Sequence, residues 1–248
     1  MLAKLFLATS ALVLCVSNSL AGQQPADPGK SAPLVLPGGH DRNAQFLAWY
    51  GPRALHNGST VLYEQSASAG LAKYAIPSWE NDSAYRLAVS DTLAADDFTI
   101  PGKGIHKITA VYVKGVIKPV DDLAWVNVEF FDKVKYDKKT GATTAVVKAQ
   151  CPGMRFTDTT GTGDLMVDVT GCNTGTFRGG HDYAVSVQPQ SADLVWYWQT
   201  NRKRVGRPGF WYNYEGGGNG PCTTLTPIRI CFPTKGYGPD LAFAIYGN

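Results

Sequence analysis

An all-β, two-sheet antiparallel sandwich is the fold this sequence predicts, and three observations predict it. Apolar residues recur at every second position through several short segments. Gly- and Pro-rich clusters separate those segments at fairly regular intervals. Long stretches with the 3.6-residue period of an amphipathic helix are missing, and so are internal repeats.

The elements follow in order. Residues 1–21 read as an export signal: Lys4 supplies the positive end, residues 5–16 the short apolar run, and Ser19-Leu20-Ala21 the small-x-small cleavage site. Cleavage near Ala21 would leave Gly22 first and place the chain outside the cytoplasm, extracellular or periplasmic. Cys15 follows Leu14, where a lipid-attachment signal wants a small residue, so no lipid anchor is expected. No later apolar run approaches the ~20 residues that span a bilayer, which predicts a soluble product. Residues 22–45 hold Pro25, Pro28, Pro33 and Pro37 and read as an extended leader. From 46 to 248 the chain is expected to form a single domain, beginning with a short piece in which Phe46, Leu47, Trp49 and Tyr50 need something larger to pack on.

Within that domain the cleanest strand is 125–131, where Val126, Val128 and Phe130 alternate with Asn127 and Glu129. Leu165, Val167 and Val169 alternate with Asp164 and Asp168. Tyr183, Val185 and Val187 alternate with Asp182, Ser186 and Gln188, and Leu241, Phe243 and Ile245 close the chain. Turn clusters at 137–141, 160–163 and 215–220 separate them.

Composition limits the function classes. Lys and Arg exceed Asp and Glu by 23 to 20, and a net +3 is too weak to argue for a specific nucleic-acid or membrane-surface partner. Charged residues at 17%, with 27 Gly and 15 Pro, describe a turn-rich globular chain, neither disordered nor a helical bundle. Removing the signal leaves four cysteines, which allow three pairings. Cys151–Cys172 and Cys222–Cys231 are favoured because each pair brackets a Gly- or Pro-rich turn and the pairs stand fifty residues apart. A zinc site competes, but His40, His56, His106 and His181 are scattered away from the cysteines.

The run Ala94-Ala95-Asp96-Asp97-Phe98-Thr99-Ile100-Pro101-Gly102, followed by Ile108-Thr109-Ala110-Val111-Tyr112-Val113-Lys114-Gly115, resembles a motif of secreted bacterial β-sandwich modules. The likeness continues through Gly179-Gly180-His181-Asp182-Tyr183, Trp196-Tyr197-Trp198 and the closing Pro239-Asp240-Leu241-Ala242-Phe243, and covers roughly residues 60 to 248. It implies a jelly-roll-like sandwich and carries over no catalytic residues. The chain departs from the pattern at His106-Lys107, at Ala184 and in having no sorting tail after Asn248, which argues for release rather than anchoring.

No nucleophile elbow, zincin motif, P-loop or dinucleotide fingerprint is present. A glycosidase would need two carboxylates across a cleft, and Glu64, Glu80, Glu129 and Glu215 are the only glutamates available. Asp96 and Asp97 are expected to precede a strand and form turns. Asp158, Asp164 and Asp168 around the 160–163 turn could supply oxygens to a structural Ca²⁺, without matching a known calcium loop; no other cofactor is expected. The most informative constellation is Trp196-Tyr197-Trp198, then Asn201-Arg202-Lys203-Arg204 and Arg207, then Trp211, Tyr212 and Tyr214, read as a cationic hairpin tip flanked by aromatics. Buried tryptophans and exposed arginines are expected, so ligand contact falls to Arg202, Arg204, Arg207, Tyr212 and Tyr214. The functional expectation is a secreted, non-catalytic protein that binds an extracellular glycan or acidic polymer, or serves in the envelope or matrix. A polysaccharide-active enzyme is the alternative.

Overall fold

The structure, a computed structural model, describes residues 59–65, 71–81, 91–117, 123–191, 195–213 and 222–248. The expected export signal at 1–21, the expected leader at 22–45 and the aromatic piece at 46–50 lie outside those residues.

In chain order the strands are β1 (Thr60–Glu64), β2 (Leu71–Pro77), β3 (Glu80–Asn81), β4 (Thr92–Thr99), β5 (Ile105–His106), β6 (Ile108–Val113) and β7 (Gly115–Val116). The long strands β8 (Leu123–Tyr136) and β9 (Thr143–Asp158) follow, then β10 (Leu165–Asp168), β11 (Phe177–Arg178) and β12 (Asp182–Ser191). The last third holds β13 (Tyr197–Asn201), β14 (Phe210–Asn213), β15 (Thr226–Pro227), the one-turn helix α1 (Ile228–Cys231), β16 (Asp240–Leu241) and β17 (Phe243–Gly247).

Eleven strands form one sheet, ten of them along the path β1-β17-β6-β10-β9-β8-β12-β4-β14-β15 and the eleventh, β3, attached to β12. The path turns through β9, whose first part pairs with β8 and whose last residues, from Arg155 to Asp158, pair with β10. A smaller sheet, β16-β13-β2 with β7 on β13, completes the sandwich, and β5 pairs with β11. Every named strand pair except β3 with β12 is antiparallel.

The turns obey their sequence. Between β8 and β9, Asp137 N–H donates to Ala142 O and Gly141 N–H to Asp137 O, both at 2.8 Å, with Gly141 at φ +72. Val126, Val128 and Phe130 are fully buried as the alternation demands, and face Val111, Val167, Val185, Trp198 and Phe243 in one continuous core. Both expected disulfides are formed, with Cα atoms 5.5 Å apart for Cys151–Cys172 and 5.6 Å for Cys222–Cys231.

Two expectations change. The second face of β12 is covered in its middle where a wet face was expected, because Ala184 joins Leu93, Ala95, Phe131, Val134 and Phe210 in a second apolar cluster outside the main core and Ser186 is buried, while Asp182 at the strand's start stays exposed. Asp96 and Asp97 stand inside β4 rather than in a turn before it. Asp96 pairs in register with Val185 and so faces the main core, while Asp97 pairs with Ala184 and faces the outer cluster.

Candidate functional site

The tryptophans are core residues. Trp196 and Trp198 are 0% exposed, and their indole N–H groups donate to Gly163 O at 2.8 Å and Ala242 O at 3.0 Å. Trp211 is equally buried and donates to Pro77 O at 2.8 Å. Each indole therefore has its polar atom satisfied inside the sandwich, as a buried tryptophan requires.

The basic segment after them is not a hairpin tip. β13 pairs with β2, β7 and β16, whereas β14 pairs with β4 and β15, so residues 202–209 cross from the smaller sheet to the larger. Arg202, Lys203 and Arg204 are exposed on this crossover. Arg204 Nε donates to Gly206 O at 2.7 Å. Arg207 is committed to the protein: Nη2 donates to Asp182 Oδ2 at 2.7 Å and Nη1 to Val134 O at 3.2 Å. Tyr212 is half-buried against the outer apolar cluster, and Tyr214 lies outside the described residues.

Beneath the crossover sits a carboxylate group that the local sequence reading missed. Asp96 and Asp240 are 0% exposed and Asp97 is 8% exposed. Asp97 Oδ1 accepts Arg207 N–H at 2.9 Å, and Asp240 Oδ2 accepts Val205 N–H. Asp96 Oδ2 accepts Gln65 Nε2–H and Leu241 N–H, each at 2.6 Å, and its Oδ1 accepts Asp97 N–H at 2.9 Å. The crossover can lie this close because of two glycines. A Cβ on Gly206, at φ +85, would stand 2.8 Å from Asp97 Oδ2, and one on Gly209 would stand 2.7 Å from Ile228 and 3.4 Å from the Asp96 carboxyl.

Among the described residues no Lys or Arg nitrogen forms an ion pair with any of these three carboxylates. Burial, then the charges of Asp240 and Asp97, push Asp96 well above the ordinary carboxylate range. Burial lifts Asp97 to about 7 against the pull of Arg207, and lifts Asp240 to about 6 against the Val205 and Gly209 amides, Arg204 and Arg229. The signal available in sequence was parity: an Asp two residues from Ala94 and from Phe98 shares their face of a strand. Nothing local pairs it with Asp240, 144 residues away.

The three aspartates considered for calcium are engaged separately. Asp158 Oδ1 accepts Thr160 N–H and Gly161 N–H, both at 2.9 Å, and Asp168 Oδ1 accepts Thr170 N–H at 2.8 Å. Asp164 is buried: Oδ1 accepts Gly115 N–H at 3.0 Å, and Oδ2 accepts Tyr112 Oη–H at 3.0 Å and lies 3.3 Å from Lys114 Nζ. Burial raises the Asp164 carboxyl in spite of Lys114. Among the described residues no group of three or more His, Cys, Asp or Glu side chains is arranged to hold a metal ion. Glu80 Oε2 accepts Asn127 Nδ2–H and Gln190 Nε2–H at 2.6 Å, and Glu129 Oε1 accepts Gln150 Nε2–H at 2.6 Å. Glu215, His40 and His56 lie outside the described residues. The His181 ring packs on Tyr183 at a tilt of 58°, with ring centroids 4.7 Å apart.

No helix among the described residues is long and apolar enough to cross a membrane. The sequence matches no family model, and comparison with curated proteins and with solved structures found no match.

Proposed function

We propose that this chain is an exported, non-catalytic β-sandwich protein that attaches to an extracellular acidic polymer, an anionic glycan first among them, through the crossover at 202–204. One observation carries the reading. Arg202, Lys203 and Arg204 project from a segment whose backbone is fastened to the sandwich by Asp240 and Asp97. Cations on a fastened segment lose less conformational entropy on binding than cations on a loose one. Arg207 then acts as a positioning residue, since its guanidinium is occupied by Asp182 and Val134. The two disulfides suit an oxidising compartment and so support export. The polysaccharide-active alternative draws no support from the assembled carboxylates, because Asp96, Asp97 and Asp240 are sealed beneath the crossover, away from any polymer chain.

An array of acidic and neutral polysaccharides, probed with the protein purified after export, tests the reading. Binding is expected on acidic polymers and should weaken as salt rises. Replacing Arg202, Lys203 and Arg204 together by Ser should abolish most of it while leaving the melting temperature unchanged, since exposed cations contribute little to folding. Undiminished binding by that variant sinks the assignment.

A further inference from the structure

Two buried acceptors beneath the crossover have no donor. Asp240 Oδ1 and Asn201 Oδ1 are each shielded from solvent and lack a hydrogen-bond partner. They are neighbours: Asn201 of β13 and Asp240 of β16 stand directly opposite in an antiparallel pair, so their side chains share a face. The orientation of Asn201 is fixed, because its Nδ2 donates to Gln65 O at 2.8 Å and Leu241 O at 2.9 Å, which leaves Oδ1 as the orphan. Two facing acceptors with no donor are an expensive arrangement in a dry site. A single proton cures both orphans at once, as the O–H of a neutral Asp240 donated to Asn201 Oδ1.

We propose that Asp240 and Asn201, with Asp96 and Asp97 beside them, form a proton-binding site beneath the cationic crossover, in which Asp240 Oδ1–H donates to Asn201 Oδ1 and acidification strengthens the grip of Arg202, Lys203 and Arg204 on a polyanion. The second half rests on the polymer-binding reading above; the first does not. Water supplies the proton, and each one taken up removes one negative charge from directly under the crossover. The bonds that fasten the crossover survive, because a neutral carboxyl still offers an oxygen to Val205 N–H and to Arg207 N–H.

The groups facing the site agree with proton uptake. β4 brings Asp96 and Asp97, β1 brings Tyr63, whose hydroxyl is pushed up by burial and then by Asp96, Asp97 and Asp240, and β12 brings Asp182. The crossover brings Arg204, Arg207 and the Gly209 amide, which donates to Pro239 O at 2.8 Å and with Val205 N–H opposes uptake at Asp240, and α1 brings Arg229. Three buried carboxylates thus meet cations that reach them only from a distance, and burial lifts Asp97 and Asp240 into the range around neutrality.

Asp240→Asn imitates the protonated state, with its carbonyl toward Val205 N–H and its amide N–H toward Asn201 Oδ1. Its melting temperature should equal or exceed that of the native chain at pH 8, and the native chain should draw level or pass it by pH 5. Any other pattern, including a difference that does not change with pH or a variant that fails to fold, overturns the proton site. Dextran sulfate, whose sulfates stay ionised throughout, tests the coupling. Native affinity should rise roughly two- to fivefold from pH 8 to pH 5.5, the size expected for removing two screened charges from beneath the binding cations, and should be flat in Asp97→Asn/Asp240→Asn. An equal rise in that variant would assign the effect to histidines and overturn the coupling. Absence of binding at every pH would overturn the polymer reading and leave the melting result standing.

Discussion

A methyl group added at Gly115 would collide with the Trp196 indole. Gly115 lies on β7 opposite Trp198, and the ring that covers it is Trp196. A Cβ there would stand 2.5 Å from Nε1 and closer still to Cε2 and Cζ2, where ordinary contact begins at 3.4 Å. The ring would have to retreat by roughly 1 Å or more, since repulsion rises steeply inside contact distance. It is not free to do so, because Nε1 donates to Gly163 O at 2.8 Å in a fully buried setting. Weakening that bond costs about 1 kcal/mol and overpacking about 1 to 3, so Gly115→Ala should destabilise by about 2 to 4 kcal/mol. At about 2 to 4 °C per kcal/mol for a chain of this size, calorimetry should show a fall of about 4 to 16 °C. Trp196→Phe removes the atoms nearest the new methyl. The double variant should therefore cost less than the two singles together, by about 1 kcal/mol or more in urea unfolding. A Gly115→Ala protein that melts within about a degree of the native one, or singles that add without coupling, would refute this seating of the tryptophan core.

Other outcomes are expected from the same structure. Trp198→Ala empties a fully buried site and removes the donor to the Ala242 carbonyl, which should cost about 3 to 5 kcal/mol and lower the yield of folded protein. Removing Cys151–Cys172, which closes 21 residues, should cost about 3 kcal/mol, and removing Cys222–Cys231, which closes 9, about 2.5 kcal/mol; guanidinium midpoints in the reverse order would contradict the loop-entropy account. Asp164→Ala removes the acceptor shared by the Gly115 amide, the Tyr112 hydroxyl and the Lys114 ammonium, so a loss of about 3 kcal/mol is expected by urea unfolding. Asp97 adds a pH dependence of definite sign. Its folded-state value, about 7 against an ordinary 3.8, means that the folded chain keeps a proton which the unfolded chain has released. The stability it contributes is whole below about pH 3.8 and is lost as pH rises toward 7. Relative to Asp97→Asn, which retains an acceptor for Arg207 N–H, the native chain should lose ground in urea midpoint between pH 4.5 and pH 8; a constant gap would show that Asp97 is ionised throughout.

What the sequence determined by itself was whatever depends on period and on chain proximity. Alternation at Val126, Val128 and Phe130 places one face of β8 in the core, and the Asp137–Gly141 cluster closes the hairpin that follows. Cys151, Cys172, Cys222 and Cys231 fall in two separated pairs, and of the three possible pairings the favoured one is formed, because short loops favour local closure. What only the tertiary structure decided was which faces are covered and which strands are partners. Alternation at Tyr183, Val185 and Val187 reveals one buried face of β12, but the covering of Ala184 and Ser186 on the other follows from the outer cluster, to which β8 and β14 bring Phe131, Val134 and Phe210. Asp96-Asp97 has the local chemistry of a turn, and pairing with β12 instead draws it into a strand. The crossover at 202–209 looks like a hairpin tip because two aromatic strands flank it, yet hydrogen-bond partners are set across the whole sheet, and β13 and β14 were claimed by different ones. The carboxylates under that crossover come from β4 and β16, and no local rule brings Asp96 to Asp240. Their meeting, and the orphaned oxygens of Asp240 and Asn201, are consequences of how the two sheets close on each other.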